Sequence, residues 1–191
     1  MRMKWRVTFA ALAIAGTCLS VVGQEGPKAS DFAKICGVDV ERASDGVFAS
    51  MGKKPWAKFE NVKAVPKFED DAGQMAQYWR GDKGRFVQTM RVEQRFSMYY
   101  EYCFGADGKL TRLNYEVRSP YGWGFARTNK VDEKGELVGI TQRFFGLKSG
   151  RNMLPPENAR DAQWALYPKV YKKFDKLPFA RLISTPVEAK K

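Results

Sequence analysis

The chain has 191 residues, 44% of them hydrophobic, 14% aromatic and 28% charged, with a formal net charge of +12. That length suits one globular domain, and no apolar run of transmembrane length follows the N-terminus. Histidine is absent, which removes catalysis by a Ser-His or Cys-His pair and any histidine-ligated metal.

Residues 1–23 read as a secretory signal. Arg2, Lys4 and Arg6 give a positive start, an apolar run extends from Val7 to Leu19, and Val21-Val22-Gly23 precedes a cut ahead of Gln24. Ala15-Gly16-Thr17 is a poor match to the sequence that precedes a lipidated cysteine, so no lipid anchor is expected at Cys18. The expected location is periplasmic or secreted. Loss of the signal leaves 30 Lys and Arg against 21 Asp and Glu. Lysines crowd at Lys53, Lys54, Lys58, Lys63 and Lys67, and again at Lys169, Lys172, Lys173 and Lys176. Such a surface attracts anions across a Debye length of roughly 8–10 Å. For an exported protein these are an anionic envelope polymer, lipid headgroups or a small amphipathic ligand. Nucleic acid is not expected, because no RNP, zinc or helix-turn-helix pattern accompanies the basic residues.

Two cysteines remain after the signal, Cys36 and Cys103, and in an oxidising compartment an even pair predicts one disulfide. Closing a loop of about 66 residues stabilises the fold by ~4 kcal/mol in the chain-entropy model. Two cysteines without histidine do not make a four-ligand zinc site, so no metal is expected. No cofactor is expected either: Gly122-Trp123-Gly124 is not a dinucleotide fingerprint, since it lies in a strand corner rather than before a helix.

Residues 24–73 read as a helical and loop-rich lead-in. Ser30 caps a short helix containing Phe32 and Ile35, which Gly37 ends. A second short helical or irregular piece runs from Val40 to Met51. Gly52 to Gln74, with Pro55 and Pro66, is an extended connection pinned by Trp56 and Phe59.

Residues 74–147 read as a β-meander of three hairpins. Their turns are Gly81-Asp82-Lys83-Gly84, Gly105-Ala106-Asp107-Gly108 and Asp132-Glu133-Lys134-Gly135, each between apolar strands. A two-residue turn at Asp107-Gly108 places Tyr102 opposite Leu113, Tyr100 opposite Tyr115 and Met98 opposite Val117 on one side. The other side pairs Cys103 with Arg112, Glu101 with Asn114, Tyr99 with Glu116 and Ser97 with Arg118. One face is apolar and one polar, and a one-residue slip destroys that sorting. The first hairpin places Trp79 opposite Phe86 and Met75 opposite Met90. In the third, a tip at Lys134-Gly135 sets Phe125 against Phe144 and Val131 against Val138, whereas a longer loop shifts this pairing. Pro120 and Gly122 mark the corner between the second and third hairpins. Between Val92 and Phe96 there is no Gly or Pro, so either one long bent strand runs through or a turn is built from other residues. The Asp107-Gly108-Lys109-Leu110 turn with its alternating strand resembles hairpin repeats of exported bacterial proteins, a likeness that implies a turn and no activity.

In residues 148–191, Pro155-Pro156 breaks the chain. A helix is expected over Asn158 to Leu166 and another from Pro168 to about Phe174, with Val170, Tyr171 and Phe174 as its apolar stripe. Leu177-Pro178-Phe179 and Leu182-Ile183 dock an extended tail, and Pro186 to Lys191 frays. The fold class is therefore α+β: a twisted antiparallel β-meander of about five to six strands packed against short N- and C-terminal helices.

Three functions follow. The leading one is a non-catalytic envelope or secreted module with a basic surface for an anionic or amphipathic partner. Its binding residues are Arg91, Arg112, Arg118, Arg127 and Arg143, which project from neighbouring strands and whose guanidinium forks suit carboxylate, phosphate or sulfate. A Cys36–Cys103 bridge would draw the N-terminal segment across part of that face. The second is a carboxylate-based glycan hydrolase using Glu101 and Glu116, diagonal on the polar face, with Glu93 in support. The third is a small carrier holding an apolar ligand inside a curled sheet lined by aromatic side chains.

Overall fold

The computed structural model of the protein describes residues 31–68 and 72–185. The signal-like segment, Cys18, the Ser30 cap and the Pro186–Lys191 tail lie outside the described residues.

The fold is one open antiparallel sheet of nine strands, more than the five or six expected. The strands are β1 (Gly46–Met51), β2 (Ala57–Phe59), β3 (Ala72–Arg80), β4 (Gly84–Glu93), β5 (Phe96–Gly105), β6 (Leu110–Arg118), β7 (Trp123–Val131), β8 (Leu137–Gly146) and β9 (Asn152–Met153). Their spatial order is β2-β1-β3-β4-β5-β6-β7-β8-β9. Only β1 and β2 exchange places relative to the chain. The two short strands at the start and β9 at the end make up the difference from the expected number.

β1 corrects the helical or irregular reading of Val40 to Met51. Its sequence GVFASM has no period-2 alternation because both faces are covered, and five of its six residues are buried. The connection after Gly52 also holds β2 and a 3-10 turn at Val62–Ala64. Asn61 caps that turn by accepting from the backbone N–H of Ala64 at 3.1 Å.

The register inferred for the central hairpin holds from Ser97–Arg118 to Cys103–Arg112. Its turn does not have the expected two-residue form. Gly108 N–H donates to Gly105 O at 2.9 Å, Gly105 N–H donates to Lys109 O at 2.9 Å, and Gly108 sits at φ +77°. The loop is thus one residue longer, and Phe104 pairs with Leu110. A bulge between Cys103 and Phe104 then restores the inferred pairing. The third hairpin repeats this device with Gly135 at φ +79°. Phe125 faces Phe144 as inferred, but a bulge at Thr128/Asn129 sets Val131 against Leu137 rather than Val138. The first hairpin pairs Trp79 with Phe86 and Met75 with Met90, as inferred. Between β4 and β5 the chain turns through Gln94 (φ 49°) and Arg95 (φ 66°), a tight turn made without glycine.

The sheet has two different faces. On one, Phe48, Tyr78, Val87, Met98, Tyr100, Tyr102, Phe104, Leu113, Tyr115, Val117 and Phe125 form the main core. The C-terminal chain covers it. A 3-10 helix (Glu157–Ala162) leads into α2 (Gln163–Leu166), which together replace the single helix expected over Asn158 to Leu166. No helix forms from Pro168 to Phe174. That chain runs out to an isolated bridge of Lys173 with Lys109, followed by 3-10 turns at Phe174–Lys176 and Ala180–Leu182. Val170, Tyr171 and Phe174 still pack on the core, Phe179 stacks on Phe48 at 4.8 Å, and Lys58 Nζ ties the tail down by donating to Ile183 O and Thr185 O. On the opposite face, α1 (Asp31–Ile35) and Val38 pack with Trp79, Phe86 and Cys103 in a second cluster. Gly37 (φ +67°) follows α1, as expected of a helix stop. Cys36 is disulfide-bonded to Cys103, with their Cα atoms 5.5 Å apart. A disulfide is at home in an oxidising compartment. Among the described residues, no helix is long and apolar enough to cross a membrane.

Candidate ligand-binding site

Strand register decides which arginines share a surface, and it divides the five. Arg112 pairs with Cys103, Arg118 with Ser97 and Arg143 with Ala126, so these three lie on the α1 face. Arg91 pairs with Met98 and Arg127 with Tyr115, which puts both on the aromatic face. The expected five-arginine platform therefore does not form, because side chains alternate and directly opposed residues share a side. On the α1 face, Arg118 donates to Glu116 at 2.6 Å and lies over the Tyr99 ring, while Arg143 lies over Phe145 and donates to Asn152 at 3.2 Å. Arg127 lies over Tyr167 at 5.9 Å.

Glu101 and Glu116 occupy the α1 face as inferred, in different settings. Glu101 is 3% exposed and accepts from Asn114 Nδ2 at 2.9 Å; Glu116 is held by Arg118. Neither lines the cleft described next. Glu93 lies on the aromatic face and is ion-paired with Arg91. Among the described residues, no three His, Cys, Asp or Glu side chains converge as a metal site would require.

What the arginine pattern did not foretell is a cleft of about 200 Å³ between the aromatic face and the C-terminal chain. Its floor is β4 and β5: Thr89, Arg91, Met98, Tyr100 and Tyr102. Its roof is Trp164 from α2, then Pro168, Lys169, Tyr171, Leu177 and Phe179, and Trp56 closes one side. The rings are fixed by one another. Tyr100 stacks with Tyr102 at 6.0 Å and with Tyr115 at 6.1 Å, Trp56 packs on Phe179 at 5.2 Å, and Trp164 meets Phe96 edge-on at 5.4 Å. Tyr115 donates its hydroxyl to Leu166 O and so holds α2 onto the sheet.

The cleft also carries polar groups: Gln74, Thr89, Arg91, Lys169 and the hydroxyls of Tyr100, Tyr102 and Tyr171. Tyr100 donates to Met98 Sδ at 3.6 Å, a weak acceptor that leaves a stronger one welcome. Burial pushes the Tyr100 phenol up to about 12, with Arg91 partly opposing, so it remains a donor at ordinary pH. Burial raises the Tyr102 phenol as well. Arg91 is 44% exposed and shares its charge with Glu93, while Lys169 has no ion pair among the described residues. Two cations against one carboxylate leave the mouth with one net positive charge. Of this site, the pairing rule could have found the floor alone: Arg91 lies directly opposite Met98, two residues from Tyr100. Compared with family models, curated proteins and solved structures, the chain matches none, and the site rests on its own geometry.

Proposed function

We propose that the protein is an exported binding module whose cleft takes a small amphipathic anion: a flat apolar body between the rings and one anionic group at Arg91 and Lys169. The observation that carries this reading is the cleft, where aromatic walls converge with a phenol donor and a net positive mouth. Preformed sites of this kind combine apolar lining with a small number of polar groups that fix orientation. The split of the arginines between two faces favours a small ligand here over a polymer spread on an open platform.

The test is isothermal titration with naphthalene-1-sulfonate and its neutral counterpart naphthalene-1-sulfonamide. The sulfonate is expected to bind one-to-one and more tightly. Arg91→Gln weakens it by about tenfold while leaving the sulfonamide unchanged, since one charge-assisted contact is worth roughly 1.5 kcal/mol or more. Trp164→Ala weakens both probes. Equal affinity for the two probes, unaltered by Arg91→Gln, contradicts the reading.

A further inference from the structure

We propose that β8 is a docking edge at which an extended, acidic polypeptide segment of another protein adds to the sheet as a further strand. β8 pairs along one side with β7. On its other side only Phe144 and Phe145 have a strand partner, the two-residue β9. From Leu137 to Arg143 the outer side of the strand has no strand partner among the described residues, and residues 138–143 are exposed without a break. Leu137, at its start, packs against the main core, and the Arg127 guanidinium lies beside Gly139.

Apolar exposure collects along β8 and its connection to β9: Val138 and Ile140 lie in the overhang, and Leu147, Met153 and Leu154 at the end that β9 covers. Val138 is 41% exposed, Ile140 48% and Leu154 85%, with Leu147 and Met153 also exposed. These are five of the ten large apolar side chains exposed among the described residues. Sheet edges are ordinarily blunted by short strands, proline, lysine or bulges. The opposite edge follows that rule: β2 has three residues, follows Pro55 and carries Lys58. β8 has ten residues, no proline and no lysine; a bulge leaves Ile140 as its extra residue between Gly139 and Thr141, and its one charged residue, Arg143, sits next to the part that β9 covers.

Charge selects the occupant. β7 and β8 carry Arg127, Lys130 and Arg143 and no acidic residue, and the connection to β9 adds Lys148 and Arg151; the carboxylates Asp132, Glu133 and Glu136 are confined to the hairpin loop at the Leu137 end, where Glu136 is paired with Lys172. Lys130 is the cross-strand partner of Val138, so a strand laid against β8 places its side chains near these cations. A second copy of this chain brings the same cations and no carboxylate on its own β8. A segment alternating apolar and acidic residues meets both features: backbone hydrogen bonds and Val138 and Ile140 supply contact, and the cations supply selection.

The probe is a fluorescein-labelled eight-residue peptide of alternating Val and Glu, with a sister peptide carrying Lys for Glu. Each is titrated by anisotropy against the exported protein while amide exchange is followed over 137–143. The Glu peptide is expected to bind at least tenfold more tightly than the Lys peptide and to slow exchange across 137–143. Ile140→Glu, an exposed position whose change leaves the melting temperature in place, is expected to lose about tenfold. The proposal is overturned if the peptides bind equally, if neither binds, or if the Glu peptide binds without protecting 137–143. It is also overturned if light scattering finds a dimer that Ile140→Glu dissolves, since the edge then belongs to a second copy.

Discussion

Gln94 and Arg95 are the only non-glycine residues with positive φ among those described, and they sit side by side in one turn. A β-carbon in the left-handed region costs about 1 kcal/mol per residue, and Asn-Gly is the pair this two-residue turn prefers. The double change Gln94→Asn, Arg95→Gly should therefore raise stability by about 1 kcal/mol, or roughly 2–4 °C in melting temperature for a domain of this size. An unchanged or lowered melting temperature would show that the turn is held by side-chain contacts instead. At the same scale, Tyr100 sets an alkaline limit. Its phenol is raised from 10.0 to about 12 by burial, so the folded state keeps a proton that the unfolded chain gives up. The stabilisation is fully present below pH 10 and is lost as pH rises toward 12, by about 2–3 kcal/mol. Tyr102 and Tyr115 are raised by burial as well and add to the loss. Tyr100→Phe should flatten this part of the stability curve in denaturant titrations between pH 9 and 12. A slope equal to that of the unaltered protein would place the titrating groups elsewhere.

Among the elements, the hairpins were the most legible and the covering segments the least. Alternation between Ser97 and Arg118 fixed their pairing because a slip of one residue would turn Tyr100 and Tyr102 out of the core. The central turn lacks the two-residue form that Asp107-Gly108 suggests, and the third takes the longer of its two loop lengths. Gly108 and Gly135 serve three-residue loops, and a bulge in each hairpin absorbs the extra residue, so alternation sets the faces but not the loop lengths. β1 was invisible to period-2 reasoning because both its faces are buried. The segment after Pro168 has an apolar stripe that fits a helix, yet Lys173 bridges Lys109 and the chain stays open, because tertiary pairing outweighs local propensity. The same rule of alternation, carried from β5 to β4 and β7, would have moved Arg91 and Arg127 to the aromatic face. The cleft remained hidden because it depends on how the C-terminal chain crosses the sheet, which no local pattern encodes. The α1 segment is held on its face by Phe32, Ala33 and Val38 and by the Cys36–Cys103 bond. Replacing both cysteines by serine should lower stability by up to about 4 kcal/mol in the chain-entropy limit, read as a fall in the denaturant midpoint. An unchanged midpoint would mean that the apolar contacts of α1 alone fix that segment.

At the scale of the whole molecule, one sheet carries two cores of different origin. The α1 face is closed at the disulfide end, and the aromatic face is closed by a C-terminal chain with little regular structure. A roof of short helices and turns over rigid strands leaves a gap where it does not seat fully, and that gap is lined by the rings that would otherwise complete the core. In the proposed function the ligand enters that gap, rather than the α1 face with Arg112, Arg118 and Arg143. The most direct measurement is the set of intermolecular nuclear Overhauser effects from naphthalene-1-sulfonate bound to the protein. Contacts from its ring protons to Trp164, Tyr100 and Tyr102 are predicted. Contacts to Tyr99 and Phe145 on the opposite face, with none to those three, would contradict the assignment.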